Sequence, residues 1–279
     1  MINNQRVVLV TGASAGIGKC CADYLTLEGN RVYGTSRRAN STDSEQRSSK
    51  RNLFRLIQMD VTNDSSVKKG IDSIIARESR LDAVVNNAGY AIIGSLEDTT
   101  VKEAKSQLET NFFGALRVCR AVLPIMRRQR TGYIVNISSI GGLIGLPFQS
   151  AYCASKFALE GAMEALRIEV RPFGIHVVLI EPGDFKTEIT QHRQLAVASK
   201  RNSAYRDIFN RVLRTVESGE RNGPTPELVA ELINNVISTK SPRLRYTVGN
   251  ISQRIAVPLK KILPSRLFES LISGSFQAS

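Results

Sequence analysis

Val7-Val8-Leu9-Val10-Thr11-Gly12-Ala13-Ser14-Ala15-Gly16-Ile17-Gly18 decides the fold. Four apolar residues in succession read as a strand buried on both faces, as in a parallel sheet covered by helices. Three glycines follow, and a helical pattern begins at the last of them. Gly12 permits a tight turn, Gly16 lets a phosphate approach the backbone, and Gly18 lets the helix pack close to the strand. The helix N-terminus then offers free N–H groups and a positive dipole end to a pyrophosphate. Ser14 and Ile17 lie in the same loop and join the glycines as candidate dinucleotide ligands. The competing reading is a Gly-rich turn with no ligand; its place at the first strand-to-helix junction favours the dinucleotide.

Outward from this junction, strand-like runs at residues 31–36, 53–60, 81–86, 133–138 and 176–181 alternate with helical patterns at 16–28, 65–78, 101–128 and 150–171. This alternation predicts an α/β fold, a Rossmann-type doubly wound parallel sheet with helices on both faces. No repeat and no Pro/Gly-rich linker divides the 279 residues, so a single domain is expected over residues 1–279. Residues 39–52 are polar and read as an exposed loop. Residues 186–220 read as helical, basic and suited to a substrate lid, and 226–237 as a further helix. A short strand is expected at 246–248. A C-terminal extension over about 250–279 is partly amphipathic and expected to be broken by Pro258 and Pro264.

The bulk numbers exclude more than they assign. The net charge is +13, yet the basic residues are scattered in short clusters without interleaved aromatics, so nucleic-acid binding is not expected. Four cysteines (Cys20, Cys21, Cys119, Cys153) and two histidines (His176, His192) match no metal-ligand spacing, and no metal is expected. There is no apolar run of about 20 residues and no leader pattern, which points to a cytoplasmic protein.

The spacing G-x-x-x-G-x-G, preceded by Thr11, resembles the short-chain dehydrogenase/reductase family in its compact single-domain branch. An enzyme that takes NAD usually carries an acid at the end of the second strand, where it binds the ribose hydroxyls. Here Ser36 and Arg37 occupy that place. A carboxylate would repel a 2′-phosphate and a guanidinium pairs with it, so the cofactor is expected to be NADP(H). The resemblance further implies that Asp60, with Val61, contacts adenine. It implies that Asn87, Ala88 and Gly89 of the Asn86-Asn87-Ala88-Gly89 run pass close to the cofactor. It also implies that the loop from Pro182 and Gly183 through Phe185 to Thr187 covers the nicotinamide.

Tyr152 and Lys156 are four residues apart on an expected helix, hence on one face one turn apart. A free tyrosine titrates near 10, and an adjacent ammonium would favour its phenolate and lower that value. Tyr152 is the expected acid–base, with Lys156 beside it and Ser139 hydrogen-bonding the same substrate oxygen. Tyr152 and Lys156 also count among the expected cofactor contacts. Asn111, inside the 101–128 stretch, completes the set; the resemblance implies that it holds a water in a proton relay. Similarity covers about residues 6–190 and leans towards the hydroxysteroid and retinol dehydrogenase subset.

The expected activity is therefore NADPH-linked interconversion of a carbonyl and an alcohol. Apolar runs at 91–94 and 143–148 suggest a bulky apolar substrate: a steroid, a retinoid or an acyl-chain ketone. Reduction of acyl-thioester or sugar and polyol ketones, and a non-enzymatic NADPH-binding regulator, are the alternatives. A homodimer or homotetramer is implied by the resemblance, through the helices at 101–128 and 150–171. Contact of the C-terminal segment with a membrane surface ranks below its packing on the domain.

Overall fold

The computed structural model describes residues 5–38, 53–187, 193–200 and 203–276. The expected loop at 39–52, and parts of the expected lid at 188–192 and 201–202, lie outside these residues.

Strands and helices alternate through the first two thirds of the chain. They run β1 (Val7–Val10), α1 (Gly16–Leu27), β2 (Arg31–Ser36), β3 (Arg55–Gln58), α2 (Asp64–Glu78), β4 (Ala83–Asn86), β5 (Ile92–Ile93), α3 (Val101–Leu108), α4 (Gly114–Gln129), β6 (Gly132–Ile137), α5 (Ser150–Val170) and β7 (Ile175–Pro182). The remainder comprises β8 (Gln194–Leu195), α6 (Arg206–Asn222), α7 (Glu227–Ser238), β9 (Arg245–Val248), α8 (Ile251–Ile262) and α9 (Ser265–Ser275). Seven strands form one parallel sheet in the order β3-β2-β1-β4-β6-β7-β9. The chain builds outward from β1 to β3, then returns to place β4 on the other side of β1. That reversal opens a crevice beyond the carboxyl ends of β1 and β4, where α/β sheets bind ligands.

The strand alternation sorts the core. Val7 and Leu9 point to one side of the sheet, against Ile71 and Ile74 of α2, Val118 and Val122 of α4, and Leu159 and Met163 of α5. Val8 and Val10 point to the other, against Cys21 and Leu25 of α1 and Val229, Ile233 and Ile237 of α7. Each such side chain contributes about 1.5–3 kcal/mol on burial, so the strand that carries the glycine loop is anchored from both faces.

Three expectations need correction. The helix expected over 101–128 is interrupted by a π turn at Glu109–Phe113. The segment expected to be helical over 186–220 contains β8 and a short 3-10 turn (Ala198–Lys200) before α6 begins at Arg206. β8 pairs in parallel with β5, Ile92 against Gln194, in a separate two-stranded sheet. Pro258 does not break α8; the helix runs through it and stops at Ile262, with Pro264 capping α9. Pro258 has no N–H to give the Arg254 carbonyl, and the helix continues past it all the same.

Candidate active site

The glycine loop takes the backbone its sequence demands. Gly12 and Gly16 have φ of +67° and +56°, in the left-handed region open to glycine. A Cβ on Gly12 would lie 2.8 Å from the Ala88 Cα, and one on Gly18 would lie 2.3 Å from Asn87 Nδ2. The loop and the residues after β4 are thus pressed together, and Asn87 fastens them. Its Nδ2 donates to the carbonyls of Thr11 at 2.9 Å and Gly12 at 3.1 Å. In return the Thr11 hydroxyl accepts the N–H groups of Asn87 and Ala88, both at 3.0 Å. Helix α1 begins after Ala15, whose side chain offers no cap to the first-turn N–H groups. Those donors and the dipole end face a cleft of about 890 Å³.

The cleft gathers the expected cofactor residues. Gly12, Ser14, Gly16, Ile17 and Gly18 line it at the loop, Ser36 and Arg37 at the end of β2, and Asp60 and Val61 after β3. Asn87, Ala88 and Gly89 line it after β4, and Pro182, Gly183, Phe185 and Thr187 after β7. Asp60 is held by Thr62, whose N–H and hydroxyl both donate to Oδ1, at 2.9 and 2.8 Å. Among the described residues no carboxylate stands at the end of β2, where Ser36 Oγ accepts the Arg38 N–H at 3.3 Å. Cradle and uncapped helix end fit a dinucleotide.

Ser139, Tyr152 and Lys156 meet at the inner end of this cleft. Ser139 Oγ accepts the Gly141 N–H at 3.1 Å and lies beside the Tyr152 hydroxyl. Lys156 is 6% exposed and donates to the Ile137 carbonyl at 2.8 Å, with Nζ 5.8 Å from the Tyr152 ring centre. The expected depression of the Tyr152 pKa is not found. Burial pushes its hydroxyl up to about 12, against the opposing effect of the Ser139 hydroxyl; Cys153, Asp184 and Glu220 add to the rise. The ammonium that was to lower it is turned to a carbonyl and is itself buried, which brings Lys156 down to about 8 against the pull of Glu160. Tyr152 is therefore a phenol at neutral pH, a proton donor.

Asn111 lies behind the cleft wall, in the π turn, and not in a regular helix. The extra residue of such a turn re-aims side chains and recurs at functional sites. Its Nδ2 donates to the Tyr90 carbonyl at 2.9 Å and the Ser155 hydroxyl at 3.1 Å, and its Oδ1 accepts the Tyr90 N–H at 3.0 Å. The side chain thus braces the segment after Gly89 against α5.

The sequence profile of the short chain dehydrogenase family matches residues 6–197. The chain belongs to this family. It is 42% identical over 264 residues to a 3-ketodihydrosphingosine reductase of Bacteroides thetaiotaomicron, covering 95% of each chain. It is 36% identical over 255 residues to human retinol dehydrogenase 8, covering 86% of this chain and 80% of the relative. Among solved structures, a short-chain dehydrogenase from Streptomyces avermitilis superposes with a TM-score of 0.82 at 33% identity, over 94% of each chain.

Within this short chain dehydrogenase, several contacts have no counterpart in the sequence reading. Behind Lys156, one turn further along α5, Glu160 is 4% exposed. Arg245 of β9 reaches it at 2.9 Å, Glu164 at 2.7 Å and Glu181 at 3.5 Å. Burial raises both Glu160 and Glu181 above the usual carboxylate range. Spacing on α5 could have flagged Glu160 as the helical neighbour of Lys156; nothing local marks Arg245, 85 residues away. The outer wall is also more polar than the apolar runs suggested. Ala91, Ile93 and Leu146 line it, but so do Asp184, Arg193, Glu220 and Gln253, while Ile144 is core. Arg193 pairs with Glu220, and Gln253 donates to Asp184 at 2.6 Å.

Proposed function

We propose that this short chain dehydrogenase is an NADPH-dependent reductase of a long-chain ketone, of the 3-ketodihydrosphingosine type. The observation that carries this reading is that Tyr152 and Ser139 line one cleft together with the glycine cradle, Ser36 and Arg37. The rim supports NADPH: a guanidinium and a hydroxyl suit a 2′-phosphate, and among the described residues at the end of β2 there is no acid to bind the bare ribose.

When bound, the nicotinamide supplies the hydride. The chain's own residues do the rest. The Ser139 hydroxyl hydrogen-bonds the ketone oxygen and fixes it against Tyr152. Tyr152 then passes its phenolic proton to that oxygen as negative charge develops on it. The buried Lys156 ammonium stabilises the resulting phenolate more than the phenol, so its attraction is greatest when the proton has left. Asn111 keeps the wall between Tyr90 and α5 in register.

Of the apolar ketones expected, the acyl-chain class is favoured by the 42% relative over nearly the whole chain. Exposed Phe113, at 42% in the turn before α4, and Ile168 of α5, at 73%, support self-association through this face. Among the described residues no helix is long and apolar enough to cross a membrane.

The test is oxidation of NADPH and NADH by the purified chain, with 3-ketodihydrosphingosine, a steroid ketone, retinal and a short polar ketone. Preferred turnover of the sphingoid ketone with NADPH is expected. Preferred turnover of the steroid or retinal, or equal use of NADH, would replace this reading.

A further inference from the structure

Helix α8 buries none of its residues and α9 buries Phe268 alone. Along α8, Ile251, Ile255, Pro258 and Ile262 recur at intervals of four, three and four, which is one stripe of a helix. The three isoleucines are 71%, 49% and 76% exposed, and Leu267 and Leu271, one turn apart on α9, are 60% and 42% exposed. Arg254, Lys260, Lys261 and Arg266 accompany them, against Glu269 as the one acid in these two helices.

The opposite side of α8 faces the body of the protein. Gln253 accepts the Asp184 N–H at 2.9 Å, and Lys260 donates to the Leu143 carbonyl at 2.5 Å and lies over the Phe157 ring. Gln253 and Phe276 both line the substrate end of the cleft. The helix pair therefore frames the cleft with one side; on the other, Ile251, Arg254, Ile255 and Pro258 line an open groove of about 790 Å³ with Leu228, Leu232 and Tyr246, and the isoleucines of the stripe stay about half exposed or more.

We propose that the Ile251–Ile255–Pro258–Ile262 stripe, with Leu267 and Leu271, is a docking surface for an anionic lipid bilayer and holds the cleft beside the lipid–water boundary. Aliphatic side chains enter the acyl region while lysines and arginines beside them stay among the phosphates, the division that amphipathic interfacial helices use. A second copy of this chain is the lesser fit. A two-fold contact through this face would bring two copies of the Arg254, Lys261 and Arg266 set into one interface, with Glu269 as the one acid of each helix pair to offset them. The net charge of +13 favours the anionic surface from a distance as well. The link to substrate delivery rests on the function proposed above, since a long-chain ketone resides in bilayers; the surface itself rests on the side chains alone.

The full chain, without substrate, is sedimented with vesicles of phosphatidylcholine alone or mixed with phosphatidylglycerol. Binding to the mixed vesicles, weak binding to the neutral ones and release by salt are expected. Two double variants, Ile255→Glu with Ile262→Glu and Arg254→Glu with Lys261→Glu, should each lower partitioning roughly tenfold or more. Both should leave reduction of a short water-soluble ketone unchanged, as these positions are exposed and touch none of the catalytic groups. No binding to the mixed vesicles, or equal binding by parent and variants, overturns the proposal. So does light scattering that shows a parent oligomer which the variants dissociate. Vesicle binding without NADPH-linked turnover of any ketone would remove the proposed function and leave the docking surface standing.

Discussion

Asn111 clasps the backbone of Tyr90 from both sides, its Oδ1 taking the Tyr90 N–H at 3.0 Å and its Nδ2 giving to the Tyr90 carbonyl at 2.9 Å. A buried amide that satisfies one residue's donor and acceptor together cannot be replaced by a group with only one of the two functions. Asn111→Asp sets a carboxylate against the Tyr90 carbonyl and is expected to cost about 2–4 kcal/mol. Thermal unfolding should show the loss, with reduced turnover. An unchanged melting temperature would mean that the clasp contributes nothing.

Gly18→Ala forces a methyl to within 2.3 Å of Asn87 Nδ2 and 2.4 Å of the Gly12 carbonyl. To admit it, the Asn87 bridge to the loop must open and the cradle widen. NADPH affinity, followed by nicotinamide fluorescence, is expected to fall at least about tenfold, equivalent to roughly 1.4 kcal/mol. Affinity within a factor of two of the parent would show that the close approach is not needed.

Arg37→Asp replaces the basic group at the cofactor rim with one that repels a 2′-phosphate and suits ribose hydroxyls. The ratio of kcat/KM for NADPH over NADH is expected to fall by about two orders of magnitude. An unaltered ratio would separate Arg37 from cofactor choice.

The sheet and the cradle were legible because their signals are local: apolar runs of strand length and glycines at one junction. Ser139, Tyr152 and Lys156 were legible through the family pattern, and the structure does bring them together. What spacing could not give was environment. The interval from Tyr152 to Lys156 puts two groups on one face, yet burial sets their proton affinities, and burial raises the phenol where proximity alone would lower it. The π turn at Asn111 inserts a residue without altering hydrophobic periodicity. Strands β5 and β8, two residues each, are shorter than any alternation can reveal. Pro258 read as a break because proline costs a helix one hydrogen bond, a loss that α8 tolerates.

The pH dependence of reduction follows from Lys156. Its ammonium is lowered to about 8 by burial, so the charged form prevails below that pH and is lost above it. Tyr152, raised to about 12, stays protonated across the same range. Turnover at saturating NADPH and ketone is expected to be level through neutrality and to fall above about pH 8. Lys156→Arg, always charged, should abolish that alkaline fall even if its overall rate is lower. A profile that falls equally in both proteins would assign the limb to another group.

The proposed reduction turns on the proton that the Tyr152 hydroxyl delivers to the ketone oxygen. Its most direct test compares the parent with Tyr152→Phe, measuring NADPH binding by fluorescence and NADPH oxidation with 3-ketodihydrosphingosine by absorbance. The expected result is NADPH affinity within about threefold of the parent and turnover reduced by at least about 10²–10⁴-fold, the usual contribution of a positioned acid. Turnover close to the parent's, with binding intact, would contradict the account.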